Sequence, residues 1–207
     1  MNDSQIRYRP IQSSDYVAIE AIIRKSWKYD QFASPKIAQR LSKDFLTSCL
    51  ANQTFTCVAI INEKFVGVIM GKNKKKQLRS LKYLSRHWLA VFPLLMSKEG
   101  IRISKLFREV NQVNKKFFKN TPIEFDSELA FFVLDENQRG LGIGKNLYQL
   151  FLDYLAAEEL TSFFLFTDTT CNYGFYEHQG LHRLQEENLY FPSLKETTHF
   201  YLYSNKK

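Results

Sequence analysis

ELAFFVL, at residues 128–134, is followed by QRGLGIGK at residues 138–145, and these two stretches decide the fold. The first is a run of apolar and aromatic residues, which is typical of a buried strand. Beyond the glycines, apolar residues recur at helical spacing, at Leu147, Leu150, Phe151, Tyr154 and Leu155. The predicted order is therefore strand, glycine-rich loop, amphipathic helix.

A glycine-rich loop at the start of a helix is suited to binding an anion. Glycine tolerates positive φ and lets phosphate oxygens approach the backbone N–H groups closely. The helix dipole and two flanking cations favour negative charge at the same place. We therefore predict a pyrophosphate site at Arg139, Gly140, Gly142, Ile143, Gly144 and Lys145. For the loop taken alone, a simple tight turn is the alternative.

Two other phosphate-binding motifs fit the loop poorly. A P-loop needs Ser or Thr after its lysine, whereas Asn146 follows Lys145 and position 139 is not glycine. The dinucleotide fingerprint needs the spacing G-x-G-x-x-G early in the chain. Here the spacing is G-x-G-x-G, past the middle of the sequence.

The rest of the chain predicts an α/β fold with a mixed, mostly antiparallel central sheet flanked by helices. IRYRPI opens with a strand, one helix begins near Ser13 to Asp15, and a second begins at Ser34-Pro35. Asn62-Glu63 joins two apolar runs as a hairpin. Later segments predict a strand at SFFLFT, a short helix at CNYGFYEHQ ending before Gly180, and a final antiparallel pair at LHRLQEENLYF and THFYLYS.

Residues 72–124 form an insertion between the third and fourth core strands of a single predicted domain, 1–207. It opens with a basic segment, and two helical patterns follow, one over 81–91 and one over 103–117. The basic residues suit a solvated helix face, a site for a ribose phosphate, an acidic acceptor or an anionic surface, and they are Lys72, Lys74, Lys75, Lys76, Arg79, Lys82 and Arg86.

The loop and a later motif resemble one known family. Arg139, Gly142 and Gly144 meet the pattern [QR]-x-x-G-x-[GA], and Tyr176-x-x-x-Gly180-Leu181 is similar to Y-x-x-x-G-F, with leucine in place of the usual aromatic residue. The sequence thus resembles the GNAT superfamily of acetyltransferases over about residues 5–71 and 125–203. The insertion departs from the family core, so no family residue is carried over onto it. Because it joins two strands central to the family's active cleft, we expect its helical pair to form one wall or lid of the acceptor site.

This resemblance implies acetyl transfer from acetyl-CoA to a primary amine, directly and without an acyl-cysteine. The strands on either side of the glycine-loop helix would splay and hold pantetheine along the backbone of Phe132, Val133 and Leu134, with a backbone N–H near Leu134 meeting the oxyanion. Tyr176 would be the general acid, and Glu128, acting through water, the base. Glu124 and Asp126 stay open as alternative bases, and Asn172 would either bind the cofactor or cap a helix.

Two other functions compete with acetyl transfer. The charge of +8 attracts anions, so the rival function is a basic nucleic-acid-binding module, although no helix-turn-helix, RNP or zinc-finger pattern is present. A catalytically silent CoA-binding regulatory domain is the third possible function. The acceptor stays open between a small amine and a protein amine, and a homodimer stays open as well.

Cysteine, histidine and hydropathy patterns argue against several classes of protein. Three cysteines without C-x-x-C predict reduced thiols and no zinc site, and the pair His178 and His182 has no ligand motif around it, so we expect no metal. The opening residues lack a signal peptide's apolar stretch, and no apolar run reaches about 18 residues. We therefore expect a cytoplasmic protein without a membrane partner.

Overall fold

A computed structural model describes residues 6–76, 96–192 and 195–207 of the chain. Its seven strands form one mixed sheet in the order β1-β2-β3-β4-β5-β7-β6. The strands are β1 Ile6–Arg9, β2 Phe55–Ile61, β3 Lys64–Asn73, β4 Ser127–Leu134, β5 Phe163–Asp168, β6 His182–Phe191 and β7 Glu196–Ser204. Only β4 and β5 pair in parallel, and every other neighbouring pair is antiparallel. The predicted fold class is confirmed.

Five α-helices flank the sheet within the described residues. They are α1 Tyr16–Ser26, α2 Pro35–Asn52, α3 Lys98–Lys119, α4 Ile143–Ala157 and α5 Gly174–His178. Ser34 precedes α2 in extended conformation with Pro35 at its first position, and Gly180 follows α5 at φ 78°. The two residues of the predicted hairpin, Asn62 and Glu63, both have positive φ, so the local turn signals were interpreted correctly.

The two faces of the sheet carry different helices. On one face α4 packs over β2 to β5 through Ile143, Leu147 and Phe151, each fully buried. On the other face α1 and α2 cover β2 and β3 around Ile19 and Ile23. The predicted amphipathic helices thus bury their apolar sides against opposite faces of one sheet.

The insertion contributes α3, which crosses the second face of the sheet. Its first half packs beside α1 and α2 through Ile103, and its second half packs over β5, β6 and β7 through Val113 and Phe117. The helical pattern over 103–117 is therefore confirmed. The pattern over 81–91 lies outside the described residues, and the single domain over 1–207 stays a prediction.

Candidate functional site

Strands β4 and β5 are neighbours only at their first residues. The parallel ladder contains two pairs, Ser127 with Phe163 and Glu128 with Phe164. β4 then continues to Leu134 and β5 to Asp168 without further pairing between them in the described ranges. The strands diverge into a wedge, and their facing edges are available to an extended ligand.

A polar cluster around Asp126 closes the narrow end of the wedge. Its Oδ2 accepts hydrogen bonds from the N–H groups of Thr161 and Ser162 at 3.1 and 3.2 Å and from their hydroxyls at 3.1 and 3.0 Å. Lys75 lies 2.9 Å from Oδ1. The lysine and these donors hold the pKa of Asp126 well below its usual range. Asp126, one of the three candidate bases, is therefore fully engaged in joining β4 to β5.

A bulge at Ala130 determines which residues of β4 face each side of the sheet. Met70 of β3 pairs with Phe131, whereas Gly71 pairs with Leu129, so Ala130 is the extra residue. Leu129 consequently lies in the core under α4, and Phe131 lies in the core under α1 and α2. Two residues apart, they would share a face in a regular strand.

The glycine loop occupies the wide end of the wedge. Gly140 and Gly142 have φ of 83° and 74°, and a Cβ added to either would meet no protein atom within 4 Å. Gly142 is the N-cap of α4, and no side chain caps the helix. The first N–H groups of α4 are thus available to an anion, with exposed Arg139 and Lys145 beside them. This arrangement fits a diphosphate.

The predicted loop residues contribute in different ways. Ile143 is fully buried in the core under α4, so only its backbone can face a ligand. Gly144 lies close to the wedge itself, since a Cβ there would be 3.7 Å from the ring of Phe132 and 3.8 Å from Leu134. The loop is therefore held against β4 by apolar contacts, and its backbone remains open.

A cavity of about 640 Å³ runs through the wedge from one face of the sheet to the other. Its lining joins the edge of β4 over 128–134, the end of β5 over 166–168, Arg139 and Gly144 of the loop, and Asn172, Phe175 and Tyr176 around α5. On the opposite face it is lined by Trp27, Phe45, Val110, Asn114 and Phe200. The predicted phosphate site, strand edge, acid and base all border this one space.

Glu128 lies at the point where β4 and β5 separate. Its side chain is 25% exposed, and its Oε2 is 3.8 Å from Nζ of Lys72 on β3. Burial raises the pKa of Glu128 above its usual value, and the positive charges of Lys72 and Lys74 oppose that rise. Of the three candidate bases, Glu128 alone lines the cavity; Glu124 is exposed and precedes the strand.

Tyr176 reaches the cavity from α5. It is 9% exposed, and burial raises the pKa of its phenol far above the usual value, with the neighbouring Cys171 and Tyr148 adding to the shift. The next residue, Glu177, accepts a hydrogen bond from the Tyr203 hydroxyl at 2.6 Å and one from Arg183 at 2.5 Å. These bonds attach α5 to β6 and β7, and so fix the position of Tyr176.

Comparison with known proteins agrees with this geometry. Residues 109–181 match the model of the Acetyltransferase (GNAT) family, a span that includes the last part of α3, β4, the glycine loop, α4, β5 and α5. No curated protein sequence matches the chain. The family match covers about a third of the chain and supports an acetyltransferase of the GNAT superfamily.

Solved structures share the fold at low sequence identity. Ard1 from Thermoplasma volcanium is 15% identical with a TM-score of 0.55, over 97% of this chain and 96% of its own. Arabidopsis thaliana NAA60, in complex with a bisubstrate analogue, is 16% identical with a TM-score of 0.53, over 97% of each chain. Arabidopsis thaliana Naa50, in complex with the bisubstrate analogue CoA-Ac-MVNAL, is 14% identical with a TM-score of 0.53, over 98% of this chain and 99% of its own.

The GNAT sequence motifs did not indicate the residues on the second face of the cavity. Trp27, Phe45 and Phe131 form an aromatic cluster, with ring centroids 5.0 to 5.7 Å apart. In the sequence, the spacing of Trp27 and Phe45 indicated only the packing of amphipathic helices, and both rings reach Phe131 through tertiary contacts. From α3, Val110 and Asn114 complete this side, so the helix of the insertion forms one wall of the cavity.

The basic segment that opens the insertion differs from a solvated helix face where it is described. Lys72 lies within the end of β3, and the lysines after Asn73 form a bend. In this bend Lys75 pairs with Asp126, and Lys76 pairs with Glu158 at 2.5 Å. Arg79, Lys82 and Arg86 lie outside the described residues. The described part of the segment therefore neutralises acidic residues near the narrow end of the wedge.

Two further observations concern the described part of the chain. No helix within 6–76, 96–192 and 195–207 is long and apolar enough to cross a membrane. Over the same ranges, no group of three or more His, Cys, Asp or Glu side chains is arranged to hold a metal ion. All three cysteines are free thiols, as expected.

Proposed function

We propose that this chain transfers an acetyl group directly from acetyl-CoA to a primary amine, with Glu128 as the base, acting through water, and Tyr176 as the acid. The observation that carries the proposal is the single cavity between the diverging strands, which borders the glycine loop, Glu128 and Tyr176. A bound acetyl-CoA would supply the activated thioester.

The donor fits the face of the wedge that carries α4 and α5. The uncapped N–H groups after Gly142, together with Arg139 and Lys145, would hold the diphosphate. The backbone of Phe132, Val133 and Leu134 would hydrogen-bond the pantetheine amides as an added strand does. Asn172, exposed at the cavity rim, is placed to bond the same arm.

Removing a proton from the acceptor is the task of Glu128. An alkylammonium has a pKa near ~10.4, and only the neutral amine attacks a thioester. The raised pKa of Glu128 brings the carboxylate closer in basicity to its water and amine partners, which improves a general base. The proton passes to Glu128, and the nitrogen lone pair forms the new amide bond.

Tyr176 supplies a proton to the departing thiolate. Because burial raises the pKa of its phenol, Tyr176 stays protonated at neutral pH and always has a proton to donate. As the carbon–sulfur bond breaks, sulfur takes the bonding pair and the phenol proton. A backbone N–H near Leu134 would stabilise the oxygen of the transferred acetyl group while it carries charge.

Release of the free thiol from acetyl-CoA, measured against a panel of amines, tests the proposal. We expect amine-dependent thiol release by the wild type, a loss of about 100-fold in Tyr176→Phe, and acetyl-CoA affinity unchanged in that variant. Acetyl-CoA binding without amine-dependent turnover would identify a catalytically silent domain. Salt-sensitive binding to nucleic acid, with no acetyl-CoA binding, would favour the basic binding module.

A further inference from the structure

The cavity has two chemically different halves, separated by β4. Because of the bulge at Ala130, Phe132 points to the face of α4, where its ring lies 5.4 Å from that of Phe175. That half also contains the glycine loop. Phe131 points to the opposite face, so the half beyond it is free for the acceptor under the proposed function.

This acceptor chamber is lined mainly by rings. We define it by Trp27, Phe45, Val110, Glu128, Phe131 and Phe200, all of which border the cavity. Trp27 and Phe45 are only half-buried, although each packs against the buried Phe131. Half-buried aromatic surface inside a cavity favours an apolar ligand, and ring faces also attract a single ammonium.

Two carboxylates lie on this side of the cavity, Glu128 on β4 and Asp168 on β5, the cross-strand partner of Phe200. Glu128 can pair with one ammonium. Glu136 at the cavity rim is already paired with Lys25 at 2.6 Å, whereas Asp168 accepts a hydrogen bond from the neutral N–H of Thr170 at 2.7 Å, which orients the carboxylate without pairing its charge.

The outer surface adds repulsion against polycations. The side of α3 that faces away from the sheet exposes a row of cations, at Lys98, Arg102, Lys105, Arg108, Lys115 and Lys119. The chain as a whole carries +8. A polyamine would therefore be disfavoured at approach.

We propose that the acceptor is a primary amine whose neighbouring carbon skeleton is apolar, present either as a free aralkylamine or as the N-terminal residue of a peptide. The apolar group lies against Trp27, Phe45 and Phe131, and the amine points to Glu128. This inference rests on the proposed function and names its substrate class.

Thiol release by the wild-type enzyme with acetyl-CoA tests it on five probes: phenethylamine, the peptide Phe-Gly-Gly, ethanolamine, triglycine and spermidine. Phenethylamine should exceed ethanolamine, and Phe-Gly-Gly should exceed triglycine, by about 10- to 100-fold in kcat/KM, the effect of burying one aromatic group. Spermidine should fall below both apolar probes. The faster of the two apolar probes identifies the source of the amine.

Two variants test whether the rings of the chamber cause the preference for apolar amines. Phe45→Leu should lower kcat/KM for phenethylamine by at least about tenfold more than for ethanolamine, because it removes one ring of the chamber. Phe55→Leu is the matched control, since Phe55 stacks on Tyr154 at 4.8 Å on the other face of the sheet. It should leave the preference unchanged. The five-probe comparison with the wild-type enzyme tests the substrate class even if a variant fails to fold.

The outcomes separate the two proposals. Equal turnover of polar and apolar probes, or preference for spermidine, overturns the substrate class while the acetyltransferase activity stands. No turnover of any probe, with acetyl-CoA bound, overturns the proposed function and this inference together.

Discussion

Gly142→Ala is the perturbation that isolates the anion site. At φ 74°, alanine would be strained by about 1–2 kcal/mol, which predicts a melting temperature lower by about 2–8 °C for a chain of this size. The added Cβ meets no protein atom within 4 Å, so all further effects come from the ligand. Losing one amide–phosphate hydrogen bond costs about 1.5–3 kcal/mol, equivalent to an affinity lower by about 10- to 150-fold.

Gly180→Ala is the matched control for that substitution. Gly180 has φ 78°, and its added Cβ also meets no protein atom within 4 Å, but it follows α5 outside the glycine loop. Both variants should melt earlier by similar amounts, while only Gly142→Ala should lose acetyl-CoA affinity by titration calorimetry. Wild-type affinity in Gly142→Ala, or an equal loss in both variants, would refute the assignment of the loop.

Three further predictions concern Glu128, Asp126 and the proposed general acid, Tyr176. Glu128→Gln should lower amine-dependent kcat about 100-fold. Because burial raises the folded pKa of Glu128, its contribution to stability is present below its unfolded pKa and is lost as pH rises through the folded pKa. The variant should therefore melt no earlier than the wild type at pH 7. Asp126→Asn should lower the free energy of unfolding in urea by about 2 kcal/mol at pH 7. Since the folded pKa of Asp126 is lowered, this difference should shrink as pH falls below the unfolded pKa. An unchanged difference at low pH would contradict the role of the Asp126 carboxylate in joining β4 to β5. Because the pKa of Tyr176 is raised, its phenol should stay protonated up to about pH 9, and wild-type kcat should not fall below that pH through its ionisation. A fall in kcat below about pH 9 that is absent in Tyr176→Phe would contradict this.

The strand order along the chain and the glycine loop were predictable because they depend on local patterns. Gly142 and Gly180 punctuate helices, and Asn62-Glu63 closes a hairpin, all within a few residues of sequence. The pairing of β4 with β5 was implied by resemblance alone, since nothing local in the sequence shows where two strands separate.

The acceptor side of the site could not be predicted from the sequence. Trp27 and Phe45 come from two different helices and meet Phe131 only because a bulge at Ala130 turns that ring to their face. The role of Asp126 was equally hidden, because its partners Thr161 and Ser162 lie 35 and 36 residues away. Long-range contacts of this kind decide which of several nearby carboxylates remains free.

Amide hydrogen exchange with and without acetyl-CoA tests the wedge most directly. A ligand that adds to the open edge of β4 and to the start of α4 should slow exchange at residues 132–134 and 142–146, while the β6–β7 pair at 182–191 and 196–204 should be unchanged. Binding that protects neither the β4 edge nor the loop would contradict the account.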